Sequence, residues 1–323
     1  IRKTGPVSHL KKEGTPSMGG IIIILSIILP TILWAKIDNY FILIILFSTL
    51  WMGIIGFIDD YLKIKLNKSK GLIARYKLAG QVVLGSIISY LIIFQDLLEY
   101  HIVSLEGTAN LIHISNISLP FVANGIYNLG YLYVLLIILT ITATSNSVNL
   151  TDGLDGLATG LVAISTLVFA AIAYASGRID YSNYLNIIYI PNSGELFVFC
   201  FSMIGACIGF LWYNAKPAKI FMGDVGSLSL GAALGTLAIL LKKEILLIII
   251  GGMFVLESLS VIIQILYYKI SKKKYGKGKK IFKMAPLHHH FEKKGWAEST
   301  VVIRFWIISI ILALVGLATL KLR

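Results

Sequence analysis

Long apolar runs, interrupted by short polar or charged segments, fill the chain from residue 18 to residue 320. A helix needs roughly 20 apolar residues to cross about 30 Å of hydrocarbon. Nine stretches approach or reach that length, at about 18–35, 40–58, 79–95, 130–147, 156–175, 196–213, 225–241, 245–268 and 303–320. The pattern predicts an all-α polytopic membrane protein built as one domain over residues 1–323. The segments between spans alternate sides. One set lies at about 1–17, 59–78, 148–155, 214–224 and 269–302, and the other at about 36–39, 96–129, 176–195 and 242–244. Segment 96–129 changes period: His101-Ile102-Val103-Ser104-Leu105 and Leu111-Ile112-His113-Ile114-Ser115 alternate, with Gly107 and Asn110 between them. That alternation predicts a small β-hairpin, on which His101 and His113 read as surface residues rather than ligands.

Composition agrees with lipid as the solvent. The chain is 57% hydrophobic and 14% charged, and its mean hydropathy is +0.82, so too little polar surface exists to cover a water-soluble globule. Cys200 and Cys207 share a helical face about 10 Å apart along the axis, too far for a disulfide, and read as core packing. A net charge of +13 raises the question of nucleic acid. The placement of the charge argues against it, because the first set of segments, with the last counted over 268–304, holds 23 of the 29 Lys and Arg. The positive-inside rule assigns those segments to the cytoplasm, where a basic face attracts anionic headgroups and phosphorylated substrates. No signal-peptide pattern and no internal repeat of the transporter kind is found. The chain opens at Ile1 with a polar, basic segment and reads as a fragment lacking upstream sequence.

The aspartates stand where apolar runs end. Asp59-Asp60 closes the second span and is followed by Lys63, Lys65, Lys68, Arg75 and Lys77. Adjacent carboxylates repel, so keeping both ionised beside hydrocarbon calls for a cation or for lysines. Asn149-Leu150-Thr151-Asp152-Gly153-Leu154-Asp155-Gly156-Leu157 repeats polar side chains every third residue, one helical face, with glycines that admit close approach of a ligand. A helix cap needs one such residue and not three. Lys219-Ile220-Phe221-Met222-Gly223-Asp224-Val225-Gly226-Ser227 leads into the seventh span. There Asp224 is either a ligand or a cap favoured by the helix dipole, and Asn214 lies on the same border.

Three further features are less specific. His288-His289-His290 cannot easily share one metal ion, since consecutive side chains diverge; donors or proton carriers at a phosphate site, or a loop with no metal, both fit. Glu257 and Gln264 lie seven apart on one face of the eighth span, for function or for interhelical hydrogen bonding. Gly14-Thr15-Pro16-Ser17-Met18-Gly19-Gly20, after Lys11 and Lys12, is a turn into the first span with the wrong spacing for a P-loop.

Taken together, Gly14 through Gly20, Phe57-Ile58-Asp59-Asp60-Tyr61, Lys70-Gly71-Leu72, Asn149 through Leu157, Phe221 through Ser227 and Ala285-Pro286-Leu287-His288-His289-His290 resemble the phospho-N-acetylmuramoyl-pentapeptide transferase family over essentially the whole chain. The wider polyprenyl-phosphate sugar-1-phosphate transferase superfamily shares the aspartates, and the triple histidine with its Ala-Pro-Leu lead-in points to the muramoyl-pentapeptide branch. The resemblance implies ten transmembrane helices, so the family's first helix is expected to be missing here. It also implies a homodimer in the bacterial cytoplasmic membrane, with its active site on the cytoplasmic side. Ser17 stands where the family often has threonine, which keeps the hydroxyl.

The implied reaction moves phospho-N-acetylmuramoyl-pentapeptide from its UDP carrier to undecaprenyl phosphate, giving lipid I and UMP, with magnesium as cofactor. Carried over residue by residue, Asp224 resembles the magnesium ligand and Asp59 and Asp60 the catalytic pair, which also stand as candidate ligands. Asn149, Asp152, Asp155, Asn214 and Phe221 resemble nucleotide and pyrophosphate contacts, with Phe221 stacking on uracil. Lys12, Lys77 and the catalytic candidates His288, His289 and His290 line the same cleft, and Thr15, Lys63 and Gln264 are counted with the substrate-binding set.

The residues fit such chemistry in their own right. A lipid phosphate attacking a pyrophosphate brings anion to anion, which a divalent ion and lysines must screen, and magnesium takes carboxylate oxygens. Whether an aspartate deprotonates the lipid phosphate or itself attacks and forms a covalent intermediate is open at this level. The rivals are a transferase using UDP-N-acetylglucosamine and an ion-coupled transporter, although transporters place ionisable residues near the midplane.

Overall fold

The structure, a computed structural model, describes residues 14–65, 71–95, 97–103, 109–122 and 125–321. Twelve helices and four short strands follow one another among these residues. In chain order the first are α1 (Gly20–Trp34), α2 (Tyr40–Lys65) and α3 (Ala74–Ile93), then β1 (His101–Val103), β2 (Ala109–Leu111), β3 (Asn116–Ser118) and β4 (Ile126–Asn128). After them come α4 (Leu132–Thr151), α5 (Leu157–Ser176), α6 (Ile179–Leu185), α7 (Glu195–Asn214) and α8 (Gly223–Leu240). The chain finishes with α9 (Glu244–Ile250), α10 (Gly252–Tyr275), α11 (Leu287–Glu292) and α12 (Glu298–Ala318).

Eight of the described helices are long and apolar enough to cross a membrane. The first predicted span is the shorter exception. Helix α1 has 15 residues with Pro30 inside it, a rise of about 22 Å against roughly 30 Å of hydrocarbon. The predicted span at 245–268 is also interrupted. Gly251 separates α9 from α10, and α10 then continues beyond residue 268 through Lys272, Lys273 and Lys274, whose charges suit the negative end of a helix dipole.

Helix α8 is the axis of the bundle. Every residue from Val225 to Leu240 is buried, and its glycines, alanines and serines let α2, α4, α1 and α5 pack directly on it. Polar side chains join the layers inside. Ser48 and Thr236 hydroxyls are 2.7 Å apart across α2 and α8, and Ser145 Oγ donates to the Leu228 carbonyl at 3.1 Å across α4 and α8. The outward faces carry the bulky apolar residues, as in a protein whose solvent is lipid: Ile262 and Leu266 on α10, Ile307, Ile311 and Leu314 on α12.

The end of the bundle opposite the aspartates carries two small hairpins where the alternation predicts one. Strand β1 pairs antiparallel with β2, with His101 opposite Leu111, and β3 pairs with β4, with Asn116 opposite Asn128. Asn110, read as part of the turn, lies in β2. His113 sits between the hairpins, where Nδ1 is 2.6 Å from Ser115 Oγ. These hairpins help cover the α8–α9 connection, which sequence reads as a loop at 242–244. Lys242, Lys243 and Glu244 are buried there. The Lys242 ammonium donates to the Ile114 carbonyl and, at 2.9 Å, to the Tyr133 hydroxyl, which donates to Glu244 Oε1 at 2.5 Å. Burial pushes Lys242 down to about 7 and Glu244 up from its ordinary value.

Candidate active site

Asp59 stands 19 residues into α2, about 29 Å from its start, so the last turns of that helix rise out of the hydrocarbon layer with both carboxylates on them. Gly56, one turn earlier, lets α2 meet the beginning of α8: a Cβ there would lie 2.3 Å from the Asp224 carbonyl oxygen. That close approach brings together residues more than 160 positions apart. One oxygen from each of Asp59, Asp60 and Asp224 lies within 4.8 Å of the others, and the adjacent pair is almost fully buried.

Each carboxylate is fixed by a main-chain donor or an amide. Leu72 N donates to Asp59 Oδ1 at 2.6 Å, Val225 N to Asp60 Oδ2 at 3.1 Å, and Asn149 Nδ2 to Asp224 Oδ1 at 3.0 Å. Two glycines admit this. Gly71 (φ +49°) and Gly223 (φ +73°) adopt left-handed backbone, and a Cβ would sit 2.6 Å from Asp59 Oδ1 at the first and 2.4 Å from Asp60 Oδ2 at the second. Three oxygen donors this close are hard ligands suited to a divalent cation such as magnesium.

Two lysines balance the charge. Lys63, one turn beyond the pair on α2, bridges to Asp59, to Asp60 at 3.2 Å and to Asp224 at 3.3 Å. Lys77, on α3, lies 3.0 Å from Asp59 and 2.5 Å from Asp224. Two ammonium groups beside three carboxylates leave one net negative charge, which a cation would offset.

The Asn149–Leu157 segment borders the cluster as the turn between α4 and α5. Asn149 at the end of α4 also donates to Ser227 Oγ at 2.8 Å, so it holds two positions of α8 one turn apart. Asp152 keeps partial solvent access at its surface, yet burial, with the carboxylates of Asp224, Asp60 and Asp155, pushes it up to about 7. Asp155 and Asn214 face a neighbouring scaffold instead. Asp155 Oδ2 accepts from Ala218 N at 3.1 Å, and Asn214 Oδ1 accepts from Gly156 N at 3.0 Å while its Nδ2 donates to the Ile220 carbonyl at 2.9 Å. Both residues shape the loop that carries Phe221.

Phe221 is held through its backbone by the glycine-rich turn ahead of α1. Its N donates to the Pro16 carbonyl at 2.8 Å, its carbonyl accepts from Gly19 N at 2.9 Å, and the Met222 carbonyl accepts from Gly20 N at 2.8 Å. Thr15 is half-buried in the same segment. Lys12 lies outside the described residues. Gln264 on α10 grips the loop before the histidines: Oε1 accepts from Ile281 N and Phe282 N at 3.0 Å each, and Nε2 donates to the Phe282 carbonyl at 3.0 Å.

The three histidines diverge, as consecutive residues must. His288 is buried against Glu257, His289 Nδ1 is 2.8 Å from Glu292 Oε2, and His290 Nδ1 accepts from Lys283 N at 3.0 Å. Burial, with Lys294 and Lys283 nearby, holds His290 below the usual imidazole range, as a ring nitrogen accepting a hydrogen bond requires. Residues that sequence reading passed over include Ser227 and the main chain at Leu72 and Val225. Only Ser227 left a signal, its spacing three beyond Asp224. Glu298 gave none: it accepts from Asp155 N at 3.0 Å and pairs with Lys216 at 3.1 Å, contacts made by tertiary packing.

The chain is similar to known proteins over its whole length. Residues 42–242 match glycosyl transferase family 4, and residues 12–24 match signature 1 of phospho-N-acetylmuramoyl-pentapeptide-transferase. Over all 323 residues the chain is 51% identical to the phospho-N-acetylmuramoyl-pentapeptide-transferase of Thermodesulfovibrio yellowstonii and 52% identical to that of Rickettsia felis, covering 84% of each. Identity to the protein of the same name from Chloroherpeton thalassium is 49%, over the same share of both chains.

Proposed function

Since the chain belongs to the phospho-N-acetylmuramoyl-pentapeptide-transferase family, we propose that it transfers phospho-N-acetylmuramoyl-pentapeptide from its UDP carrier to undecaprenyl phosphate. The products are lipid I and UMP. An oxygen of the lipid phosphate bonds to the sugar-linked phosphorus of the pyrophosphate, and the bridging P–O bond to UMP breaks. The observation that carries this reading is the convergence of Asp59, Asp60 and Asp224 with Lys63 and Lys77 at the border of the apolar bundle, where a lipid-borne phosphate and a soluble nucleotide can meet.

Asp224, with Asp59 and Asp60, would hold the magnesium ion, and the bound ion neutralises charge building on the pyrophosphate. Lys63 and Lys77 supply fixed positive charge on the same side. Asp59 is tied by Leu72 N and both lysines, whereas Asp60 has Val225 N and Lys63, so the less encumbered Asp60 is the better placed to meet the lipid phosphate. Asn149 orients Asp224. Phe221 is offered as the stacking surface for uracil, and Asp152 borders the nucleotide side. The basic segments at the aspartate end support a cytoplasmic position for this face by the positive-inside rule.

The test is UMP release from UDP-N-acetylmuramoyl-pentapeptide and undecaprenyl phosphate, with and without magnesium. Magnesium-dependent release is expected. Product formed only from UDP-N-acetylglucosamine would replace the donor in this reading, and substrate flux across vesicles without UMP release would end it.

A further inference from the structure

His288 differs from its two neighbours in being wholly enclosed: it and Glu257 are both fully buried. Glu257 lies on α10, one heptad before Gln264, and the two side chains together seat the loop that carries the histidines. Glu257 makes two contacts with one residue. Oε1 accepts from His288 N at 3.2 Å, and Oε2 lies 3.2 Å from His288 Nδ1. The carboxylate thus holds the His288 main chain by a hydrogen bond and stands at ion-pair distance from the ring, where it can influence the ring's orientation.

Neither ring nitrogen of His288 is hydrogen-bonded among the described residues: both are buried, and Nδ1 is only at ion-pair distance from Glu257 Oε2, which is unusual for a histidine that serves packing alone. Nε2 is aimed at the α4–α5 turn, where a Cβ on Gly153 would sit 2.3 Å from it. Only a glycine allows the ring so near. The residue before that glycine is Asp152, on the edge of the acidic cluster. The His289 ring, 4.2 Å away and edge-on, closes one side.

We propose that Glu257 is a positioning residue of the transferase, which holds His288 so that Nε2 faces the Asp152–Gly153 turn and donates to an anionic phosphate oxygen of the nucleotide donor. This rests on the transferase reading given above. Nδ1 lies on the Glu257 side of the ring at 3.2 Å, which leaves Nε2 as the ring nitrogen turned to the Asp152–Gly153 turn. The histidine run thus divides its work: one ring faces the ligand, while His290 supports Lys283 and its loop.

A double-mutant cycle in the full-length protein tests the pairing. Glu257→Gln keeps the acceptor for His288 N and loses the charge that orients the ring. It is expected to lower kcat/KM for the UDP-linked donor by about 10- to 100-fold, the range for outer partners of a working imidazole, while KM for the lipid phosphate stays within twofold. His288→Ala is expected to fall at least as far, and the double variant no further than His288→Ala alone, because the two residues act as one unit. Glu257→Asp should recover part of the loss. Losses that multiply, or a Glu257→Gln protein within twofold of wild type beside a crippled His288→Ala, overturn the proposal. A wild-type protein that releases no UMP from that donor overturns the transferase reading itself.

Discussion

Lys77 Nζ lies 2.5 Å from Asp224 Oδ2, although 147 positions separate the two residues, and the same ammonium reaches Asp59. The lysine therefore shares the oxygens offered to a divalent ion, and the two cations compete for them. Lys77→Gln is expected to bind magnesium at least as tightly as wild type, yet to turn over roughly 100-fold more slowly, having lost a fixed charge facing the pyrophosphate. A magnesium titration of the initial rate reads both quantities. Wild-type kcat in this variant would take Lys77 out of charge screening.

Removing an oxygen ligand is more damaging than removing a lysine. Asp224→Asn keeps the size of the side chain and halves its ligand capacity, and turnover is expected to fall on the order of 1,000-fold with insertion and thermal midpoint preserved. Chelating magnesium from the wild-type protein should give the same loss, reversed by adding the metal back. Full magnesium-dependent activity in Asp224→Asn would dismiss it as a ligand.

Gly71→Ala places a methyl group 2.6 Å from Asp59 Oδ1, at a backbone φ of +49°. Left-handed backbone costs a residue with a Cβ about 1–2 kcal/mol, and the clash displaces the carboxylate or the loop. Activity should fall sharply with a modest drop in thermal midpoint. An unchanged rate would mean that the Leu72 hydrogen bond to Asp59 is dispensable.

Asp152 ties stability to pH. Its proton is held in the fold up to about pH 7 and in the unfolded chain only to about 4. Ionisation therefore penalises the folded state: the penalty is absent below about pH 4, grows up to about pH 7 and is constant above, at roughly 4 kcal/mol as an upper bound. In metal-free protein, Asp152→Asn should leave the thermal midpoint unchanged at pH 4 and raise it at pH 8. A gain independent of pH would contradict this assignment.

Tyr133 joins Lys242 to Glu244 at the far end of the bundle. Tyr133→Phe leaves a buried carboxylate oxygen without its donor, at a cost of about 1–3 kcal/mol. The thermal midpoint should fall, with kcat at a saturating donor concentration unchanged. A variant as stable as wild type would show that water replaces the hydroxyl.

The sequence by itself determined what lipid and charge dictate. Continuous apolar runs specify membrane helices, and the crowding of lysine and arginine on alternate segments predicts which way they face. Aspartates at the ends of runs mark a polar border, and the order of motifs marks the family. These properties are local or additive along the chain, so periodicity and composition carry them. Tertiary structure decided which border residues share a site. Asp155 shares the three-residue spacing of Asn149 and Asp152, and Asn214 the same border, yet both bind main chain beside the cluster, while Ser227 and the amides of Leu72 and Val225 enter it. The break at Gly251, the short α1 and the burial of Lys242, Lys243 and Glu244 were likewise hidden. The physical reason is the same in each case: a side chain's partner depends on how closely two helices approach, and that is set by small residues such as Gly56 facing another helix, a relation between distant positions that no single stretch of sequence contains.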